Sequence, residues 1–472
     1  MVFSSLSFIF CFLPIFLLLD NVPWLRKIKI YRNYLLIISS LLFYLWGEGK
    51  GVFLLLILAI ANLLIGRFLI FIKERNLNKV SDFVLFLGVC ANLATLIYYK
   101  YLNWFLSQLT ELPLFSDISI KNHALPLGIS FFTFHAISYL VDIYKNVTPK
   151  HQKNEFLAYF FMFPHLVAGP IVRFRDIRDD LHERKLDFNL FFYGMFRFIL
   201  GVNKKVLIAN SAATVANIAF SADSSQLGCL FAWVGILAYS VQIYFDFSGY
   251  SDMAIGLAAM MGIRFKENFN SPYKANSIKD FWRRWHISLS SWLRDYLYIP
   301  LGGSRCSKII NYRNLVCVFI LCGLWHGAAY TFLVWGLFHG LLLIFERTKL
   351  GIYLEKAPAV LRHSYAFFMI LIGWVFFRAD TLNDALSYLK EMFSFNTNIE
   401  TFYYIGNLNL IAIFVGLLIA FFGKNMNYEF SQGVFSIPKV RNITVILHLM
   451  LFVVSIVYLY AAKTNPFIYF NF

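Results

Sequence analysis

The sequence predicts a polytopic α-helical membrane protein, and three observations support this fold class. Hydrophobic residues make up 59% of the 472 residues, charged residues only 14%, and the mean hydropathy is +0.63. A soluble domain would carry about a quarter charged residues. Apolar stretches of about 20 residues, the length of a membrane-spanning helix, recur along the whole chain. The ~10-residue alternating segments of a membrane β-barrel do not appear, so helices are predicted to cross the bilayer.

Thirteen apolar stretches are candidate spans or parts of spans. They cover residues 3–19, 33–46, 52–71, 83–106, 124–144, 188–202, 208–222, 227–246, 248–263, 314–345 (one or two elements), 364–378, 404–422 and 443–461. The first lacks a basic leader and a cleavage site, so we expect it to be retained as a span. Residues 155–172 contain Pro164 and Gly169-Pro170, which predict a broken or re-entrant segment.

Loop charges predict the orientation. Basic residues follow the first, third and fifth spans: Arg26, Lys27, Lys29, Arg32, Lys73, Arg75, Lys79, Lys145, Lys150 and Lys153. The loop after the fourth span holds Glu111 and Asp117 against Lys121, and residues 379–403 are acidic. The positive-inside rule therefore places the N-terminus and the acidic loops outside and the basic loops in the cytoplasm. Because such loops explain the net charge of +16, nucleic acid is not expected as a partner.

The largest basic segment, residues 264–313, is predicted to lie on the cytoplasmic side. Within it, apolar residues follow a 3-4 spacing and basic residues occupy the opposite face. The apolar stripe comprises Trp282, Trp285, Leu289, Trp292 and Tyr296, and the polar face comprises Arg283, Arg284, Ser291 and Arg294. This pattern predicts one amphipathic helix in the membrane interface that ends near Pro300. His286 lies at the edge of the stripe, where it is either a solvated interface residue or turned inward.

A second histidine, His326, lies in the sequence Gly-Leu-Trp-His-Gly at 323–327, inside the apolar stretch 314–345. A histidine at membrane depth must face protein or a water-filled cavity, so structural and catalytic roles are both open. Gly323 and Gly327, four residues apart, allow close approach of another helix. The pattern recurs as Gly-Leu-Phe-His-Gly at 336–340, where a packing role is favoured for His339.

Two carboxylates, Asp246 and Asp252, lie in another apolar stretch, where such groups are usually paired or line a cavity. We expect them to support the site, although they can also cap a helix break at Ser248-Gly249. The six cysteines show no disulfide or metal-ligand spacing, so no metal site is expected. The motifs of soluble serine hydrolases, P-loop NTPases and zinc proteases are also missing.

Several of these stretches together resemble the membrane-bound O-acyltransferase (MBOAT) family, in particular its bacterial alginate O-acetyltransferase group. They are Phe-Asp-Phe-Ser-Gly-Tyr-Ser-Asp-Met-Ala-Ile-Gly at 245–256, Arg-Trp-His-Ile-Ser-Leu-Ser at 284–290, Ile-Pro-Leu-Gly-Gly at 299–303, Leu-Trp-His-Gly at 324–327 and the closing residues 465–472. The resemblance extends over nearly the whole chain. It implies a single integral-membrane domain, 1–472, with about 11 spans plus re-entrant and interfacial helices.

The resemblance also implies roles for individual residues. His326, on the span 314–345, is expected to be the catalytic base and His286 the second signature histidine, with Trp325, Trp285, Asp246 and Asp252 in support. The expected donor is an acyl thioester such as acetyl-CoA, attracted from the cytoplasm by Arg283 and Arg284. No tightly bound cofactor is expected. The expected location is the bacterial cytoplasmic membrane.

The acceptor is expected to be a hydroxyl of an extracytoplasmic polysaccharide, such as alginate, or of a periplasmic partner protein. Three alternatives remain open: O-acetylation of peptidoglycan, transfer of D-alanine from a carrier protein toward teichoic acid, and proton-coupled transport. A neighbouring carrier-protein gene would favour D-alanine transfer, and loss of acetylation on substitution of His326 would exclude a transporter.

Overall fold

The structure, a computed structural model, describes residues 2–28, 30–110, 124–148, 151–185, 187–223, 227–398, 405–423 and 438–462, and its regular elements there are all helical. The first helices are α1 (Leu13–Asp20), α2 (Tyr31–Glu48), α3 (Val52–Glu74), α4 (Asn78–Thr110), α5 (Ile129–Tyr144), α6 (Lys153–Phe161), α7 (Phe163–Leu166), α8 (Phe174–His182), α9 (Phe188–Asn203), α10 (Asn210–Ser221) and α11 (Cys229–Met260). The remainder are α12 (Ile278–Arg284), α13 (Ile287–Leu293), α14 (Lys308–His326), α15 (Tyr330–Phe345), α16 (Lys349–Glu355), α17 (Ala359–Arg378), α18 (Leu382–Met392), α19 (Asn407–Phe422) and α20 (Pro438–Ala461). The loop charges Lys29, Glu111, Asp117, Lys121, Lys150 and Glu400 and the closing motif 465–472 lie outside the described residues.

The predicted polytopic helical fold is confirmed. Within the described ranges six helical stretches are long and apolar enough to cross a bilayer, or seven if α15 and α16, bent by 78°, form one span. The six are Tyr31–Glu74, Asn78–Thr110, Cys229–Met260, Lys308–His326, Ala359–Arg378 and Asn442–Ala461. Three shorter apolar helices accompany them: Phe8–Asp20, Ile129–Tyr144 and Asn407–Phe422.

Several predicted boundaries were wrong. Residues 227–246 and 248–263, predicted as separate spans, form the single 32-residue helix α11, which passes through Ser248-Gly249 without a break. Residues 188–202 and 208–222 join through a π-helical segment, Lys204–Ala209, which connects α9 to α10. The predicted break in 155–172 is present, since α6 ends at Phe161 and is followed only by the four-residue α7.

The chain forms two compact units. The first comprises Met1–Phe198 and Met253–Lys266, and the second comprises Ile199–Asp252 and Glu267–Phe472. In the first unit, the buried Asp20 carboxylate accepts hydrogen bonds from the guanidinium groups of Arg32 and Arg184 at 2.5 and 3.1 Å. Both guanidinium groups also donate to the Met261 carbonyl oxygen. This ion cluster joins the ends of α1 and α11 to α2, because a buried charge needs such partners.

The second unit contains both predicted site histidines, and α14 and α15 form its closest helix pair. A Cβ atom on Gly323 would overlap the Phe332 carbonyl oxygen, and a Cβ atom on Gly336 would overlap the Phe319 carbonyl oxygen. The first glycine of each repeated Gly-Leu-aromatic-His-Gly pattern therefore lies where the two helices touch. Close approach at Gly323 was predicted, and its partner is the helix that carries the second copy of the pattern.

This contact predicts different effects of two Gly→Ala substitutions on α15. Gly336→Ala should lower the thermal stability of the purified protein, because overpacking costs about 1–3 kcal/mol. Gly340→Ala, four residues later, places its Cβ in ordinary contact, 3.4 Å from the Phe319 Cβ. Since alanine favours helices over glycine, this control should be neutral or stabilising. Equal unfolding temperatures for the two variants in detergent would contradict the proposed contact.

Candidate active site

His286 lies at a sharp break between two short helices, which the sequence analysis did not predict. The single amphipathic helix expected to end near Pro300 is wrong in its middle: α12 ends at Arg284, His286 adopts a left-handed backbone with φ of 41°, and α13 starts at Ile287. Its predicted end is confirmed, since the π-helical turn Arg294–Tyr298 that continues α13 stops just before Pro300. The residues of the predicted apolar stripe Trp282, Trp285, Leu289 and Trp292 are buried in the second unit. The 3-4 spacing therefore marked a protein-facing side.

The start of α12 is anchored to the end of α15. The Glu346 carboxylate accepts hydrogen bonds from the backbone N–H groups of Ile278 and Lys279 at 2.5 and 3.0 Å. Four N–H groups at a helix N-terminus lack partners within the helix, so a carboxylate stabilises this end. Because α12 leads directly into the break, Glu346 helps to place His286.

The side chain of Asn268 determines which nitrogen of His286 carries a proton. Its Oδ1 atom accepts the backbone N–H of Ser288 at 3.2 Å and the Ser288 hydroxyl at 2.8 Å, while its amide donates to the Ser251 hydroxyl at 3.0 Å. A backbone N–H can only donate, so the amide orientation follows from this contact. The same Oδ1 lies 3.1 Å from His286 Nδ1, which must therefore be the donor.

The other nitrogen of His286, Nε2, is consequently a hydrogen-bond acceptor in the neutral ring. This atom is buried and has no hydrogen-bond partner in the part of the chain that the structure describes. Burial lowers the pKa of the His286 imidazole to about 3, which favours the neutral form. His286 can thus accept a hydrogen bond or a proton through Nε2.

His326 is the last residue of α14, and its ring is packed among aromatic side chains. The ring centroids of Trp335 and Phe377 lie 5.1 and 4.9 Å from it, and that of Phe332 lies 6.5 Å away. Trp325 contacts both histidines, with ring-centroid distances of 4.7 Å to His326 and 6.2 Å to His286. The structure therefore brings the two predicted histidines to one tryptophan.

A polar cavity of about 390 Å³ lies next to this aromatic layer. Phe332 and Phe377, which contact the His326 ring, form part of its wall, whereas His326 itself does not. Its polar wall residues include Lys205, Asn210, Asn217, Gln242, Asp246 and Arg378. The cavity extends to Asp380, whose side chain is 91% exposed, so it reaches solvent at the end of α17.

Both predicted carboxylates are paired, as their membrane depth suggested, and their partners are two adjacent lysines. Lys205 Nζ lies 2.8 Å from Asp246 Oδ1, and Lys204 Nζ lies 2.6 Å from Asp252 Oδ2. Gly249 lies midway between the carboxylates, where a Cβ atom would crowd the Gly201 carbonyl oxygen and the Lys205 backbone nitrogen. Its role is therefore close packing against α9 rather than the helix break considered from the sequence.

The remaining predicted residues have distinct surroundings. Arg283 is exposed, whereas Arg284 donates to Asp280 at 2.9 Å and is partly buried. Trp285 packs against Trp374, with their ring centroids 4.9 Å apart. The Trp282 indole N–H lies 3.4 Å from His339 Nδ1, which fits the packing role favoured for this histidine.

Comparison with known proteins identifies the family to which this chain belongs. Residues 148–377 match the model of MBOAT, the membrane-bound O-acyltransferase family. A probable alginate O-acetylase of Pseudomonas aeruginosa is 44% identical over 442 residues, 91% of this chain and 82% of that protein. The chain belongs to the membrane-bound O-acyltransferase family. It is therefore a multi-pass membrane enzyme, as predicted.

Two other relatives of this O-acyltransferase have different names. A peptidoglycan O-acetyltransferase of Helicobacter pylori is 34% identical over 524 residues, 100% of this chain and 98% of that protein. A teichoic acid D-alanyltransferase of Bacillus subtilis is also 34% identical, but over 46% of this chain and 58% of that protein.

Three residues of the O-acyltransferase site were not predicted from the sequence: Asn268, Lys204 and Lys205. Asn268 lies 18 residues before His286, and no local pattern joins an asparagine to a histidine at that distance. Lys204 and Lys205 lie between two predicted spans. Because carboxylates at membrane depth need charged partners, these two lysines could have been predicted to pair with Asp246 and Asp252.

The hydrogen bond from His286 to Asn268 predicts a tautomer-dependent activity. Asn268→Leu should reduce kcat roughly tenfold or more, because His286 can then carry its proton on Nε2, the nitrogen that has to act as the acceptor. Asn268→Asp keeps the acceptor and should restore much of the activity. Its added charge raises the pKa of His286, so the acid limb of the pH–rate profile should move to higher pH.

Ser251→Ala is the control, since it removes the partner on the other side of the same amide. It should change kcat little and leave the pH profile in place. The tautomer assignment is wrong if Asn268→Asp and Asn268→Leu have the same kcat and the same acid limb as each other.

Proposed function

We propose that this O-acyltransferase moves an acetyl group from a cytoplasmic thioester, most simply acetyl-CoA, to a hydroxyl of an extracytoplasmic polysaccharide. One observation carries the proposal: two histidines contact Trp325, and a polar cavity ends at the aromatic rings that contact one of them. The thioester is a substrate in this scheme, and no resident cofactor takes part.

In the proposed reaction, His326 removes the acceptor's hydroxyl proton while the oxygen attacks the thioester carbonyl carbon. The C–S bond then breaks, the new ester is released, and the leaving sulfur takes the proton back from the His326 imidazolium. General-base catalysis of this kind contributes roughly 10²–10⁴ in rate. An acceptor in the cavity meets Phe332 and Phe377 first, so one of these rings must move aside for the hydroxyl to reach His326.

His286 is assigned to the leaving group. Its neutral Nε2 lacks a proton and cannot donate to the thioester oxygen, but it can accept a hydrogen bond from the departing thiol S–H. Burial disfavours the charged ring that a role in holding the thioester oxygen would require. The two histidines that contact Trp325 therefore have different tasks.

The orientation inferred from loop charge assigns the two substrates to opposite sides of the membrane. The basic segment 264–313 extends into the start of α14, and the acidic segment 379–403 follows the end of α17, where the polar cavity reaches solvent. On the positive-inside rule, the donor approaches from the cytoplasm and the acceptor from outside. We place the enzyme in the bacterial cytoplasmic membrane, where it hands acetyl groups to the polymer or to a periplasmic partner protein.

An alginate-like exopolysaccharide is the first candidate acceptor, because relatives with the name probable alginate O-acetylase cover most of the chain. Peptidoglycan is the second, because the relative with that name matches the chain from end to end. Transfer of D-alanine has weaker support, since the relative concerned matches less than half of the chain. Analysis of ester-linked acyl groups in exopolysaccharide, peptidoglycan and teichoic acid from a deletion strain distinguishes the three.

The catalytic assignment of His326 predicts that His326→Gln lowers acetyl transfer by roughly 10²–10⁴ at normal protein level. His339→Gln is the matched control, because it makes the same change in the second glycine-flanked pattern. We expect it to keep most of the activity. Undiminished acetylation by His326→Gln in membranes would disprove the proposed base and would reopen the transport alternative.

The donor site predicts an effect of charge at Arg283, which is exposed, rather than at Arg284, which is held by Asp280. Arg283→Glu should raise the donor KM several-fold at low salt, and the effect should shrink as salt screens the charge. Lys390→Glu, on α18 within the acidic segment 379–403, reverses a charge at the proposed outer side and should leave the donor KM unchanged. An unaltered donor KM for Arg283→Glu would exclude steering by this residue.

A further inference from the structure

Two neighbouring ion pairs in the second unit have different surroundings. Asp246 and Asp252 are six residues apart on α11, a rise of about 9 Å. The π-helical segment Lys204–Ala209 brings consecutive lysines to them, one to each. Such segments occur frequently at functional sites. The two ion pairs can therefore be compared directly, because each joins a lysine of this segment to an aspartate of α11.

Only one of these pairs lines the polar cavity. Lys205 and Asp246 both form part of its wall, and Lys205 also donates to the Asn210 side chain at 2.8 Å. Lys204 instead borders a second cavity of about 610 Å³, whose wall is mainly apolar and includes Leu200, Leu207, Ile208, Leu408, Ile411 and Val415. The pair next to His326's aromatic neighbours is thus the one that a polar molecule in the cavity would meet.

We propose that Lys205 and Asp246 bind the acceptor, whereas Lys204 and Asp252 hold the helices together. This inference rests on the proposed function and specifies which residues recognise the second substrate. A buried ion pair is often neutral or costly for stability compared with apolar side chains of the same size. Binding of a polar substrate would explain why a buried ion pair is present at this position.

The wall of the polar cavity indicates the chemical class of the acceptor. Lys205 and Arg378 supply charged donors, Asp246 supplies a charged acceptor, and Asn217 and Gln242 supply amides that can do both. The rings of Tyr239, Phe332 and Phe377 add apolar surface. A ring that carries several hydroxyl groups, such as a sugar unit of a polysaccharide, offers matching donors, acceptors and apolar faces. A long-chain alcohol would leave these polar groups unmatched.

The test compares two double variants of the full-length enzyme in lipid nanodiscs. Lys205→Met with Asp246→Leu removes the cavity pair without leaving a single buried charge, and Lys204→Met with Asp252→Leu removes the other pair in the same way. Radiolabelled acetyl-CoA is the donor and a short oligomannuronate is the acceptor probe. Donor KM, acceptor KM, kcat and the unfolding temperature are measured for both.

The cavity variant should raise the acceptor KM about tenfold or more, the effect of lost hydrogen bonds to charged groups, with the donor KM unchanged. The other variant should keep the acceptor KM of the wild type, even if its unfolding temperature falls. Equal acceptor KM values for the two variants would overturn the proposal. So would a wild-type enzyme that never acetylates the oligomannuronate in the same nanodiscs, because the proposal assigns the cavity to a sugar ring with several hydroxyl groups.

A charge-swapped variant, Lys205→Asp with Asp246→Lys, separates binding from stability if the apolar double variant folds poorly. It keeps an ion pair but exchanges the positions of donor and acceptor, so the acceptor KM should stay raised. A wild-type KM in this variant would show that the pair is only structural. These outcomes are independent of the His326→Gln result, which tests the proposed reaction itself.

Discussion

Charged and polar side chains buried among membrane helices need compensating partners, and this constraint organises the structure. The Asp20 carboxylate holds two arginines at the junction of α1, α2 and α11. Lys204 and Lys205 neutralise the two carboxylates of α11. Asn268 accepts the Nδ1 proton of His286 and so defines the face that this ring offers to a substrate. The partners lie 12 to 164 residues apart in the sequence, so they meet only in the folded chain, and the fold and the chemistry depend on the same contacts.

The sequence predicted the helical class, the family and the paired state of Asp246 and Asp252. The structure brings the two predicted histidines to one tryptophan, and their catalytic roles stay a prediction. It did not predict the helix break at His286, because the 3-4 spacing of apolar residues continues on both sides of the break. The break depends on Asn268, a tertiary partner, which local periodicity cannot reveal. The opposite error occurred at Ser248-Gly249, where glycine suggested a break but instead allows α9 to approach α11.

The repeated Gly-Leu-aromatic-His-Gly pattern shows why similar motifs need different interpretations. Its first glycines form one helix contact, so both copies share a packing function. The histidines differ: His339 lies beside the Trp282 indole, whereas His326 contacts two rings that line the polar cavity. The surroundings of each imidazole, rather than its flanking residues, indicate which one can take part in acyl transfer.

The proposed reaction requires donor and acceptor to reach His326 from different directions. A bound donor analogue tests this requirement most directly. A cryo-EM structure in nanodiscs with a non-hydrolysable thioether analogue of acetyl-CoA would locate the reacting carbonyl. We predict that it lies within reach of both His286 and His326, with the polar cavity vacant. An analogue that occupies the cavity against Lys205 and Asp246 would contradict the account, because the proposed acceptor site would then hold the donor.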